Sequence, residues 1–280
     1  MNTRIIIDST CDLMPDVRSR CSVVPLTVHF GDTQYIDGVS ISHREFYEKL
    51  VETDVLPHTS QASPAAFAEV FETLTEGEEA VVITVSSKLS GTYQSACIAA
   101  GDFPGRVFVV DSTSAAIGAG ILAELALRLA EEGLGAWEIA SRLTVEREKI
   151  CVIALLDTLE YLKKGGRISR TVAFAGGVLS IKPVACIRDG EIQLLGKARG
   201  SKQGNNLLAT EVEKAGGVDF DKPVLLGYTG LSDALLLKYM EDSRHLWADS
   251  PAPLACTCIG SVIGTHAGPG AVACAFFKKG

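Results

Sequence analysis

The chain has 280 residues, 47% of them hydrophobic, with a formal net charge of −8 and a sequence pI of about 5.2. That length supports one large or two ordinary domains with a full core and no covalent staples. The acidic balance argues against a nucleic-acid surface, the lack of any run of about 18 apolar residues against a membrane span, and the opening Met1-Asn-Thr-Arg-Ile-Ile-Ile-Asp8 against a signal peptide, so a cytoplasmic protein is expected.

In chain order, Arg4–Ile7 reads as a first strand that ends in Asp8-Ser-Thr-Cys-Asp12. The simplest role of that segment is a helix cap and Asx turn. Val23–Phe30 is a second strand, with a polar turn at Gly31-Asp32, and His43–Val51 is helical. Ser63 caps a helix that Pro64 opens. It runs to Leu74, with Phe67, Val70, Phe71 and Leu74 on one face. Val81–Val85 and Val107–Val110 are buried strands, and Thr92–Ala100 is a helix. Ala115–Glu132 is a long apolar helix stopped by Gly133. Ala136–Lys149 follows, with Trp137, Ile139, Ala140 and Leu143 facing inward. This alternation predicts a parallel sheet covered by helices on both faces.

The pattern changes after Lys149. Cys151–Leu155 is a strand, Leu159–Lys164 a short helix stopped by Gly165-Gly166, and Val172–Leu179 an apolar, Gly-rich stretch. Val184–Ile187 and Ile192–Leu195 form a hairpin about Asp189-Gly190. Ser201–Lys214 and Ser232–Trp247 are helices; Val224–Tyr228, Ala255–Ile259 and Ala271–Phe277 are strands. The expected fold class is α/β in two domains. Residues 1–149 form the N-terminal parallel domain, and 150–280 a C-terminal domain with a mixed sheet and helices.

The most informative stretch is Ser86-Ser-Lys-Leu-Ser-Gly-Thr-Tyr-Gln-Ser-Ala96. It sets the hydroxyls of Ser86, Ser87, Ser90, Thr92 and Tyr93 between a strand end and a helix start. Ligands of open α/β sheets sit there, and free N–H groups favour an anion. No acid, His or Cys lies in the stretch, so it suits holding an oxyanion better than reacting with one. Thr59 and Ser60 add hydroxyls just before the capped helix. Gly260–Gly270 reads as an irregular Gly-rich loop carrying His266, a residue as suited to a structural role as to a carboxylate. Lys163 and Lys164 complement a helix C-terminus, whereas Arg167 and Arg170 fall beyond it and read as a docking surface or phosphate contact. Eight cysteines without a CxxC pair read as buried thiols, with Cys256-Thr-Cys258 the nearest approach to a metal motif. No metal or cofactor is expected.

These segments together resemble the DegV family, the fatty-acid-binding proteins that serve bacterial fatty acid kinase. The matching residues are Asp8–Leu13, Thr59-Ser-Gln61, Ser87–Ala96, Val110-Asp-Ser112, Leu159–Ser169, Ile181-Lys-Pro183 and His266–Gly270. They cover nearly the whole chain in order; the one departure is Ala62, where the family usually has Pro. The resemblance implies a long-chain fatty acid held between two domains, its carboxylate on Thr59 and Ser90 with His266 nearby. It further implies presentation to a separate kinase for acyl phosphate formation, with Arg167 at the kinase contact. Two rivals stand beside it. One is an acyl hydrolase using Ser90 and His266, against which no Gly-x-Ser-x-Gly and no orienting acid are found. The other is a phosphosugar- or dihydroxyacetone-type binding subunit.

Overall fold

A computed structural model describes residues 2–168 and 181–279. The N-terminal part runs β1 (Asn2–Asp8), α1 (Pro15–Arg18), β2 (Ser22–Val24), β3 (Thr27–Phe30), β4 (Thr33–Ile36), α2 (His43–Glu52), β5 (His58–Ser60) and α3 (Pro64–Phe71). It continues through β6 (Glu78–Thr84), α4 (Thr92–Ala100), β7 (Val107–Asp111), α5 (Ile117–Glu131) and α6 (Ala136–Glu146). Strands in the order β2-β1-β6-β7 form a four-stranded sheet, parallel throughout. Alternate residues of β1 and β6 serve opposite faces, as strand geometry requires. Ile6, Ala80 and Val82 pack with Phe67 and Phe71 of α3. Ile5, Ile7, Val81 and Ile83 pack under α5 and α6.

The C-terminal part comprises β8 (Ile150–Leu155), α7 (Glu160–Lys164), β9 (Ile181–Arg188), β10 (Glu191–Arg199) and α8 (Gly200–Lys214), then β11 (Leu225–Tyr228), α9 (Ala234–Asp242), β12 (Ala255–Cys258), α10 (Ser261–Ala267) and β13 (Val272–Phe277). Its six-stranded sheet has the order β10-β9-β8-β13-β11-β12 and is mixed: the β11–β12 pair is parallel and the rest antiparallel. The protein is therefore a two-domain α/β fold, as its sequence pattern predicts. Helix α5 belongs to both halves. Ala119, Leu122 and Ala123 face the parallel sheet, while Ile117 and Ile121 pack on Val152, Ala273 and Ala275 of the mixed one. The first two turns of α5, Ile117–Ala123, are buried all round and accordingly apolar, while Glu124, Arg128 and Glu131 share one face of its later turns.

Three expectations change. Val23–Phe30 is two strands, because Pro25 has no N–H to give a ladder. The chain leaves the parallel sheet there, Leu26 N–H donates to Ser9 Oγ at 3.0 Å, and β3 enters a separate antiparallel sheet, β4-β3-β5. Trp137 points outward, 64% exposed, because the buried stripe of α6 is Ala136, Ile139 and Leu143. Ser232–Trp247 breaks at Ser243, whose hydroxyl donates to Tyr239 O and accepts from Trp247 Nε1. The stretch Val172–Leu179 and Arg170 lie outside the described residues. Among the described residues, no helix is long and apolar enough to cross a membrane.

Candidate functional site

The carboxyl ends of the parallel strands face the inner side of the mixed sheet. Thr10 after β1, Val85 after β6 and Ala115 and Ala116 after β7 stand at this edge. Between the two sheets lies a cavity of about 430 Å³. That volume falls among small-molecule sites, which run about 300–1,000 Å³. Its floor comes from strand register. Ala154 of β8 lies directly opposite Ala185 of β9 and Ala273 of β13, and Ala273 opposite Gly227 of β11. The other face of these strands carries Ile153, Leu155, Val184 and Cys274, which pack into the core with Leu208 and Val212 of α8. One face is thus filled by large side chains. The other presents a row of methyl groups and leaves room above it. Leu89, Val262 and Ile263 line the cavity from other elements.

The polar lining gathers around β5. Thr59 Oγ1 and His266 Nε2 are 2.9 Å apart, joining residues separated by 207 positions. Gln61 donates to Ser95 Oγ at 3.0 Å and lies so close to Gly91 that a Cβ there would overlap it. Ser90 lines the same cavity, with its hydroxyl 2.9 Å from that of Thr92. His266 Nδ1 is buried and has no hydrogen-bond partner among the described residues. Burial, with the Arg167 charge adding to it, lowers the His266 pKa to about 4. The imidazole is therefore neutral at pH 7.

Of the hydroxyls of Ser86, Ser87, Ser90, Thr92 and Tyr93, that of Ser90 lines the cavity. Ser86 instead donates to Gly190 O at 2.8 Å and ties the loop to the tip of the β9–β10 hairpin. Asp189 and Gly190 both have positive φ, the conformation a two-residue hairpin turn needs. Asp8 behaves as the Asx turn expected of it, accepting from Thr10 N–H and Oγ1, and also from Val85 N–H at 2.7 Å.

The segment Gly260–Gly270 is not an irregular loop. Ser261–Ala267 is the helix α10. Gly264 is there for close packing: a Cβ would sit 2.6 Å from Tyr47 Oη and 2.7 Å from the Phe46 ring. Gly165 serves the same end, since a Cβ would overlap His266 Nδ1. The start of α10 is capped from the other domain, Asp12 Oδ1 accepting from Gly260 N–H at 2.8 Å. Burial raises the Asp12 pKa to about 8, with Asp37 and Asp8 adding to it and the Gly260 hydrogen bond and Arg18 opposing it. The folded state then holds an extra proton between the ordinary carboxyl value of 3.8 and about 8, so this carboxyl's contribution to stability is lost as pH rises through that window. Asp12→Asn keeps the acceptor without the charge. Its melting temperature should gain on the parent's by roughly 10 °C between pH 5 and pH 8, on the order of 4 kcal/mol. A difference that stays constant over that range would refute the titration.

A family model described as "Uncharacterised protein, DegV family" matches residues 2–279. The chain belongs to the DegV family. A DegV domain-containing protein of Caldanaerobacter subterraneus subsp. tengcongensis is 37% identical over 286 residues, covering 98% of each chain. The fatty-acid-binding DegV family protein from Thermus thermophilus superposes with a TM-score of 0.87 at 34% identity, with 100% of both chains covered. The Streptococcus pneumoniae Fatty Acid Kinase (Fak) B3 protein, loaded with linoleic acid, gives a TM-score of 0.86 at 25% identity, again over 100% of both chains.

Within this DegV fold, the structure brings Thr59, His266, Ser90 and Arg167 to one cavity. Ser90 and His266 do not bond to each other, and no acid orients the imidazole among the described residues. Arg167 departs from the expectation of an exposed cation with no part at a helix terminus. Its N–H bonds Leu162 O and Gly166 N–H bonds Lys163 O, the paired bonds of a Schellman motif with Gly166 at positive φ. The half-buried guanidinium donates to Gly165 O at 2.6 Å and to Leu89 O at 3.2 Å, next to Ser90. Lys164 forms an i,i+4 ion pair with Glu160. All eight cysteines are free, and among the described residues no group of three or more His, Cys, Asp or Glu could hold a metal. Sequence reading did not single out the alanine floor. Its signal was present: small residues alternate with larger ones in Ile153-Ala-Leu155, Val184-Ala-Cys186 and Ala271-Val-Ala-Cys274.

Proposed function

We propose that this chain binds a long-chain fatty acid between its domains, divided near residues 149 and 150, and presents the carboxylate to a separate fatty acid kinase for acyl phosphate formation. The observation that carries the reading is an alanine-floored apolar cavity whose polar lining includes Thr59, Gln61, Ser90 and His266. The solved relatives loaded with, or binding, fatty acids support it. Burying about 14 methylenes yields roughly 11 kcal/mol gross at ~0.8 each. Ordering the chain and the partners reduces this.

The head group needs donors that leave its charge intact. A bare lone pair on buried His266 Nδ1 costs less than an unpaired N–H, so the proton belongs on Nε2. His266 then donates to Thr59 Oγ1, and the Thr59 hydroxyl is free to donate to the carboxylate. Ser90 supplies a second neutral donor. A kinase-serving protein that keeps eight thiols unpaired suits the cytoplasm.

Arg167 has two donors engaged at Gly165 and Leu89, while its Nη2 has no hydrogen-bond partner among the described residues. We assign that nitrogen to the kinase. Arg167→Ala should leave fatty acid content intact and raise the concentration needed to saturate the kinase on the order of tenfold, with Arg167→Lys recovering part of the loss. An emptied cavity with docking preserved would move Arg167 to the ligand site. Native mass spectrometry of freshly purified protein tests the reading as a whole. A fatty acid carried through purification supports it; an empty protein with esterase activity overturns it.

A further inference from the structure

A second cavity, of about 660 Å³, lies beyond the first. Val152, Cys186 and Ile187 line both. The reason is in the strand register. Val152 and Ile187 are the last facing pair of the β8–β9 ladder. Past them Ile150 and Cys151 pair only with β13, β9 turns away at Arg188, and the second cavity fills the gap. The two spaces differ in chemistry. The first is floored by alanines. The second sets Arg147, Glu148, Arg188, Glu211, Lys214 and Lys278 around a smaller apolar share that includes Ile150, Ile153 and Leu195.

The first cavity also has a direction. Leu156, Leu162 and Arg167 line it where β8 ends, on the side where α7 meets His266. From Leu156 back to Val152 is four residues of strand, about 13 Å at ~3.3 Å each. An acyl chain anchored at Thr59 and Ser90 and laid along β8 would run with its methyl end toward the Val152–Ile187 pair.

We infer that the Val152–Ile187 pair is the end wall that sets the longest acyl chain this protein accepts. The inference rests on the fatty acid reading above. The wall acts in two ways. Its branched side chains stop the terminal methyl. The space behind them mixes Ile150, Ile153 and Leu195 with those charges, so each methylene pushed through forfeits part of its transfer free energy. Removing wall side chains creates apolar room inside the first cavity, and adding bulk shortens it.

The test is competition loading. The parent, a Val152→Ala/Ile187→Ala double variant and an Ile187→Phe variant are each delipidated and equilibrated with an equimolar mixture of saturated acids from decanoic to behenic. Bound acids are then read by native mass spectrometry. The opened variant should shift toward longer acids by roughly fourfold in relative occupancy for each methylene newly accommodated, and Ile187→Phe should shift toward shorter ones. Opposite shifts cannot arise from partial unfolding, which lowers occupancy across the series. If the parent loads and neither variant changes the profile, the wall assignment is wrong. If the parent takes up no acid, the underlying fatty acid reading is wrong instead.

Discussion

Replacing Thr59 and Ser90 together with alanine is expected to stop acyl phosphate formation by the proposed kinase partner while the fold survives. Each hydroxyl on a carboxylate is a hydrogen bond to a charged group, worth about 1.5–3 kcal/mol. Losing two costs on the order of 3–6 kcal/mol, a hundredfold or more in productive occupancy. Thr59→Ala also strips His266 Nε2 of its partner. A ranking follows: the double variant should be worst, Thr59→Ala next, and His266→Ala milder, because it removes only the group that orients Thr59. Thr59→Ser should restore most of the function. Kinase-coupled turnover at saturating fatty acid, with melting temperature measured alongside, checks the series. Normal acyl phosphate production by the double variant would sink the assignment.

A second large effect is expected from Ala154→Phe. Ala154 sits mid-row between Ala185 and Ala273, so a ring there fills the cavity above the floor, on the path proposed for the acyl chain. Overpacking a full core costs about 1–3 kcal/mol, but here the ring enters existing space. Fatty acid content should fall at least tenfold while the melting temperature of the lipid-free protein moves by only a few degrees. The adjacent Leu155 gives the contrast. It faces the core with Leu208 and Val212, so Leu155→Ala should cost about 2–5 kcal/mol and leave the ligand path clear. Full loading of Ala154→Phe would show that the chain does not run along this floor.

Local chemistry made much of the fold legible. Ser63 does cap α3, accepting from Ala66 N–H at 3.2 Å, and Asp189-Gly190 does form the hairpin tip. What was hidden depended on distant partners. Four glycines between 260 and 270 read as a loop, yet Gly264 answers to Phe46 and Tyr47, more than two hundred residues earlier. Pro25 looked compatible with one strand because nothing local says that its two sides join different sheets. Thr59, Ser90 and His266 were each visible as suitable donors. Their common cavity depends on α10 crossing to β5, and the closeness of that crossing depends on Gly165. Arg167 was misread because an Arg beyond a helix looks free unless its backbone is seen completing the cap.

The position of β13 has a consequence for how the protein is made. The last strand in the chain is inserted between β8 and β11, at the middle of the six-stranded sheet. While the chain is still on the ribosome, β8, β9 and β10 can pair with one another, but β11 and β12 have no route into that sheet until residue 277 has emerged. Pairings this distant in sequence form slowly, and nascent strands with open edges are prone to misassembly. Helix α5 meanwhile waits with Ile117 and Ile121 uncovered, because Ala273 and Ala275 are among the residues that cover them. The first domain can thus fold early, yet this face of it stays sticky until β13 has emerged, and the cavity between the two sheets closes only then.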